Sequence, residues 1–290
     1  MSDLFAVLVQ PFLDYGFMQR ALFGSLLLAL SACPVGVFLM LRRMSLTGDA
    51  MAHAILPGAA AAFLLYGLEI VPMTVGGLIV GLVVALGAGA VSRLTVQRED
   101  AALAALYLVS LAAGVMLVSL RGSSVDLMHV LFGTVLALND EALVLIGLAC
   151  AVTVLALALL WRALVAECLD PLFLRSVSGL GTPVHFAFLV LVVLNLVAGF
   201  QALGTLLSVG LMMLPAATAR FWATRVVPMC ALAVLVGAAS CVAGLLASYH
   251  AALPSGPSII LAAGTVYLAS AFLAPRGLLA RAPRTRHRAA

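Results

Sequence analysis

Apolar runs fill this chain, and short polar breaks divide them. Residues 1–16 set Leu4, Phe5, Val7, Leu8, Phe12, Leu13 and Tyr15 against Asp3, Gln10 and Asp14. That stretch is too short and too polar to cross a bilayer, so it predicts an amphipathic segment lying at the interface. Apolar runs then follow at about 17–41, 46–66, 71–92, 101–120, 141–163, 183–200, 205–222, 226–249 and 258–274. Each is near the ~20 residues that a helix needs to span the hydrocarbon layer. The polar breaks are Arg42-Arg43, Ser92 to Asp100, Glu167 to Thr182, Gln201 to Gly204, Arg220 to Arg225 and His250 to Pro257. One linker, Arg121 to Gly133, reads neither as loop nor as span. Folded back into the membrane, it would carry Asp126 and His129 toward the second span.

The expected fold is therefore all-α, a polytopic transmembrane bundle of about eight or nine helices. Its parts would be an interfacial segment at 1–16, a membrane domain at 17–275 and a basic tail at 276–290. Composition agrees: 65% of the 290 residues are hydrophobic and 9% charged, where a soluble domain is nearer half and a quarter. No polar stretch is long enough for a soluble domain. The first basic residue is Arg20, so the basic n-region of a cleaved signal peptide is not expected. The Gly76, Gly77, Gly81, Gly87 and Gly89 series predicts close helix packing along the third span.

Charge adds a direction. Nine spans place the termini on opposite sides. One side then collects Arg42, Arg43, Arg93, Arg98, Arg162, Arg175, Arg220, Arg225 and the five tail arginines, and the other only Arg20 and Arg121. The arginine-rich side is expected to be cytoplasmic, with the N-terminus outside. An outer face bearing Asp3, Asp14, Glu69, Asp126, Asp140 and Glu141 would attract cations. The net charge of +4 sits mostly in the tail and sets topology, with no nucleic-acid partner expected. The chain has no lysine, which excludes a Walker A phosphate loop. If ATP drives this protein, another chain binds it. Cys33, Cys150, Cys168, Cys230 and Cys241 are scattered without a C-x-x-C, and read as small apolar membrane residues.

The candidate chemistry lies in the second span. From Arg42 to Gly58 the chain reads RRMSLTGDAMAHAILPG. Asp49 and His53 are four apart and share a helix face. Lipid is a poor solvent for both. Together they offer a hard oxygen and a borderline nitrogen, a set that suits a divalent cation. Pro57-Gly58 follows one turn later and should break the helix, as where membrane helices hold polar cargo. A structural role, with Asp49 capping a helix start, is the alternative. No H-E-x-x-H or G-x-S-x-G is present, so an intramembrane metalloenzyme is not expected. A standalone carrier in which Asp49 and His53 relay protons stays open on these residues alone.

Four stretches resemble the membrane subunit of ABC-type zinc/manganese importers, the ABC-3 permease family. They are Arg42 to Gly58, Ser124 to Gly133, Gln201 to Leu207 with Leu211 to Arg220, and Leu253 to Ser258. The resemblance runs nearly the whole chain in order. It implies a helical permease that pairs with itself, with two cytoplasmic ATPase subunits and an extracytoplasmic metal-binding protein, in a prokaryotic plasma membrane. It implies that Asp49 and His53 face the metal path and that Asp126 contributes a third group. His129 sits where a small or neutral polar residue is expected, and Thr134 to Asn139 matches loosely. His129 and His250 are weaker candidates. No permanently bound cofactor is implied, and zinc, manganese and iron stay undecided as cargo. The resemblance also places a coupling helix at about 214–227, carrying Pro215, Ala216, Thr218, Arg220, Phe221 and Trp222. Pro215 is expected to break its span there and leave a short surface helix that docks on the ATPase. The loop at 168–182 would add contacts.

Overall fold

The computed structural model describes residues 10–67, 69–120, 138–170, 174, 179 and 181–278. The described elements are all helical. They are α1 (Gln10–Asp14), α2 (Gly16–Leu41), α3 (Thr47–Ala54), α4 (Leu56–Tyr66), α5 (Ile70–Leu94), α6 (Glu99–Leu120), α7 (Asp140–Leu169), α8 (Gly181–Leu203), α9 (Thr205–Trp222), α10 (Val226–Ala251) and α11 (Ser255–Leu273). Counting α3 with α4 as one broken span, nine helical stretches among the described residues are long and apolar enough to cross a membrane. They fall on the nine apolar runs of the sequence.

Helix α2 is the axis of the bundle. It packs against α7, α8, α9 and α10, and Phe38, Leu28, Leu39 and Met18 on it are fully buried. Helix α8 joins it to the other half, where α3 to α6 pack on one another and α8 lies on α5. That half is drawn tight by small residues. A side chain on Gly58 would collide with the Gly76 carbonyl, and one on Gly76 with Gly58. Of the glycine series of the third span, Gly76, Gly77 and Gly81 lie at this crossing, while Gly87 faces Leu106 and Gly89 faces Leu189 and Phe186.

Two elements depart from the sequence reading. Helix α7 has 30 residues, about 45 Å at 1.5 Å per residue, and stays helical through Glu167 and Cys168, where a loop is expected. The reason is tertiary: Arg93 reaches Glu167, and Arg42 reaches Cys168. The second departure is Pro215. Helix α9 runs unbroken through it to Trp222. Proline cannot donate to the carbonyl four residues back, but the Cys33 thiol of α2 donates to that Leu211 carbonyl at 3.3 Å. Gly36 of α2 also lets the Met212 carbonyl approach, since a side chain there would collide with it. A neighbouring helix thus heals the break.

Candidate metal path

Arg42 caps α2, and Arg43 turns the chain with φ 61°, a left-handed value unusual for arginine. Met44 is buried. From this corner α3 begins. Thr47, Gly48, Met51, Ala52 and Ala54 point into the protein, against α5, α6, α8 and α9. The remaining face carries Leu46, Asp49, Ala50 and His53. Asp49 lies in the first turn, where the helix dipole favours a negative charge. Its Oδ1 is 3.9 Å from His53 Nε2, with the side chains 70% and 36% exposed. That separation is too long for a hydrogen bond. The two groups face each other across the exposed side of α3.

The break itself is at Ile55, between α3 and α4, with Pro57 in the first turn of α4. Gly58 N–H turns to the Ile55 carbonyl at 3.1 Å, which leaves the Ala54 carbonyl without that donor. The Ser110 hydroxyl of α6 donates to it at 2.8 Å. Pro57 packs next door, where Gly114 leaves room. Ser110 is about midway along α6 (Glu99–Leu120), roughly 16 Å from either end at 1.5 Å per residue. The break and His53 therefore sit level with the middle of α6. Ser110 was not singled out in the sequence, because a lone serine in an apolar span usually bonds back within its own helix.

Asp49 and His53 are brought together as expected. Asp126 and His129 lie outside the described residues. His250 lies in the last turn of α10, which packs on α2, α9 and α11, and its ring stands 5.2 Å from that of Tyr249. Nothing in the described contacts brings it to Asp49. Among the described residues there is no group of three or more His, Cys, Asp or Glu that could hold a metal. Asp49 and His53 form a two-donor set.

Of the residues expected to couple to an ATPase, Pro215, Ala216 and Thr218 are buried inside the bundle. The expected surface helix at 214–227 is corrected accordingly: helix α9 ends at Trp222 and α10 starts at Val226. Arg220 and Trp222 are exposed and Phe221 partly so. These three, with the turn Ala223 to Arg225, form the end of the bundle there.

A denser polar cluster lies at the bundle end where α2, α5, α6, α7 and α8 begin or stop. Arg42 Nη1 donates to His185 Nδ1 at 3.0 Å, and its guanidinium lies 4.3 Å over the Phe188 ring. The other ring nitrogen of His185, Nε2, faces Glu99 Oε1 at 3.0 Å. Arg93 binds Glu167 at 3.2 Å and Thr182 at 2.8 Å. The cluster lines an open cavity of about 530 Å³. At the opposite end Arg20 pairs with Asp140 at 3.1 Å.

The profile of the ABC 3 transport family matches residues 14–274. A manganese transport system membrane protein (MntC) of Halalkalibacterium halodurans is 34% identical over 93% of this chain and 91% of its own. A manganese import system permease protein (ScaB) of Streptococcus gordonii is 33% identical over 92% of this chain and 95% of its own. Among solved structures, PsaBC from Streptococcus pneumoniae in complex with Fab superposes with a TM-score of 0.81. It is 32% identical, covering 93% of this chain and 96% of that one.

Proposed function

Since the chain belongs to the ABC 3 transport family, we propose that it is the membrane permease of an ATP-driven importer of manganese or a similar divalent cation. The observation that carries the reading is the Asp49–His53 pair, placed on an exposed face at the break of a membrane span. An aspartate and a histidine left facing lipid at that depth would be costly. The face is therefore covered by a second copy of the chain, or it lines a water-filled path between copies. A carboxylate and an imidazole, with no thiolate among them, accept manganese, iron or zinc alike, and the names of the relatives reported above favour manganese. Two donors plus water bind weakly enough to release the ion, which conduction requires. Asp126 is kept as a third contributor from the outer linker.

In this reading the metal arrives at the outer face from an extracytoplasmic binding protein. It stops at Asp49 and His53 and leaves on the arginine-rich, cytoplasmic side. Two ATP-binding subunits dock there, at the turn after α9, with Arg220, Trp222, Thr224 and Arg225 as their contacts. ATP-driven closure then rocks the bundle halves and alternates access. Family membership favours this over the standalone proton-coupled carrier.

The test is uptake of radioactive manganese into proteoliposomes. With the ATPase and binding protein present, uptake is expected only with ATP. Uptake by the permease alone, driven by a pH gradient, would instead establish the secondary carrier.

A further inference from the structure

Three contacts tie the end of α9 to the end of α11. The Trp222 indole Nε1 donates to Ser270 Oγ at 3.0 Å. The Phe221 ring packs on that of Tyr267, with centroids 5.7 Å apart. Beyond α11 the chain folds back on itself: Gly277 N–H donates to the Ala274 carbonyl and Leu278 N–H to the Ala271 carbonyl, both at 2.8 Å. That tight return aims Arg276 at the neighbouring helix. Its Nη1 donates to the Ala223 carbonyl at 2.9 Å.

Ala223 is where α9 stops, so its carbonyl has left the helical ladder. A cation is favoured at this end of a helix. Ala223 and Ala274 are buried, whereas Thr224, Arg225 and Trp222 beside them are exposed. The turn between α9 and α10 is thus gripped from its inner side and open on its outer side. Buried contacts of this kind fix the angle of a short turn that has little internal bonding of its own.

We propose that Arg276 is a positioning residue for the ATPase-docking turn. It holds Ala223 so that Arg220, Trp222, Thr224 and Arg225 are presented as one surface, and it makes α11 move with that turn. The docking surface is then built from two separate parts of the chain, and a displacement imposed on the turn passes directly to the last span. This rests on the docking role proposed above for the turn.

The test uses the complete assembly in proteoliposomes, reading manganese uptake per ATP hydrolysed, co-purification of the ATPase and permease melting. Arg276→Met is expected to melt somewhat lower than the parent, to co-purify with the ATPase, and to lose about tenfold in uptake per ATP, the scale of one hydrogen bond to a charged group. Arg276→Lys, which can still donate to the Ala223 carbonyl, should restore more than half of that loss. Ser270→Ala, buried and unable to touch a partner, should lower coupling in the same direction by about twofold, as a neutral bond would. If Arg276→Met couples within twofold of the parent while Arg225→Glu abolishes ATPase binding, the turn docks but Arg276 does not position it. If Arg225→Glu leaves binding and coupling intact, the docking reading falls and this one with it. Should Arg276→Met fail to fold, Arg276→Gln, whose shorter neutral side chain gives up the charged contact, decides, and parental coupling in that variant overturns the proposal.

Discussion

Asp49 and His53 stand 3.9 Å apart on an exposed face, with side chains 70% and 36% exposed. Arg93 and Glu167 meet at 3.2 Å, with side chains 15% and 3% exposed. Both pairs sit in a chain that is nine-tenths uncharged, yet they are handled in opposite ways. Glu167 is enclosed and bonded, which is what a buried charge needs to persist. Asp49 and His53 are neither enclosed nor bonded at close range, so their donor atoms remain available. The contrast separates charges that hold helix ends together from charges left open on an exposed face. It also says where mutation should cost fold and where it should cost transport.

The largest effect should come from the open pair. In Asp49→Ala/His53→Ala, both donors are lost, and uptake of radioactive manganese by the complete assembly should fall at least about a hundredfold; changes to single supporting groups around metals already cost 10–100-fold. Melting of the purified permease should scarcely move, since exposed substitutions usually stay within about 0.5 kcal/mol. Normal uptake in the double variant would show that the pair is structural, and the contrast would collapse.

The buried pair should behave the other way. Glu167→Gln leaves Arg93 beside a neutral amide, and breaking such a pair costs about 3 kcal/mol. The permease should melt at lower denaturant or temperature, while uptake per folded molecule stays near the parent. Arg93→Met/Glu167→Met, which removes both charges, should recover most of the lost stability. A double variant no more stable than the single one would mean that the Thr182 contact of Arg93, and not the ion pair, holds this end together.

The nine spans could be read from the sequence because the bilayer imposes one length and one composition on each. The Asp49–His53 pair could be read because spacing of four is a property of a single helix. What escaped the sequence came in each case from another helix. Glu167 reads as a loop residue until Arg93, 74 positions away, gives it a partner. Pro215 reads as a helix end until the Cys33 thiol bonds the carbonyl that the proline leaves unmet. Coupling residues assigned by position along the chain, Pro215, Ala216 and Thr218, therefore turned out to face the core. Arg276 reads as the first residue of a tail, and its contact with Ala223 appears only once α9 and α11 are side by side.

Ser110 links the two kinds of region and gives the subtlest prediction. Its hydroxyl meets the Ala54 carbonyl at 2.8 Å, joining the packed body of α6 to the helix that carries Asp49 and His53. Ser110→Ala removes that donor and leaves a buried carbonyl at mid-depth. The cost should be about 1 kcal/mol, near the low end for an unmet acceptor, because polar bonds in membrane bundles average only about 0.6 kcal/mol. Melting should fall slightly. The transport effect should be larger in the manganese concentration at half-maximal uptake than in the maximal rate, since the variant loosens the last turn of α3 without removing either donor. Ser110→Cys, with a weaker donor of similar size, should fall between the two. A change confined to the maximal rate would instead place Ser110 in the moving body of the bundle, and the metal pair would owe its geometry to the Arg42–Met44 corner alone.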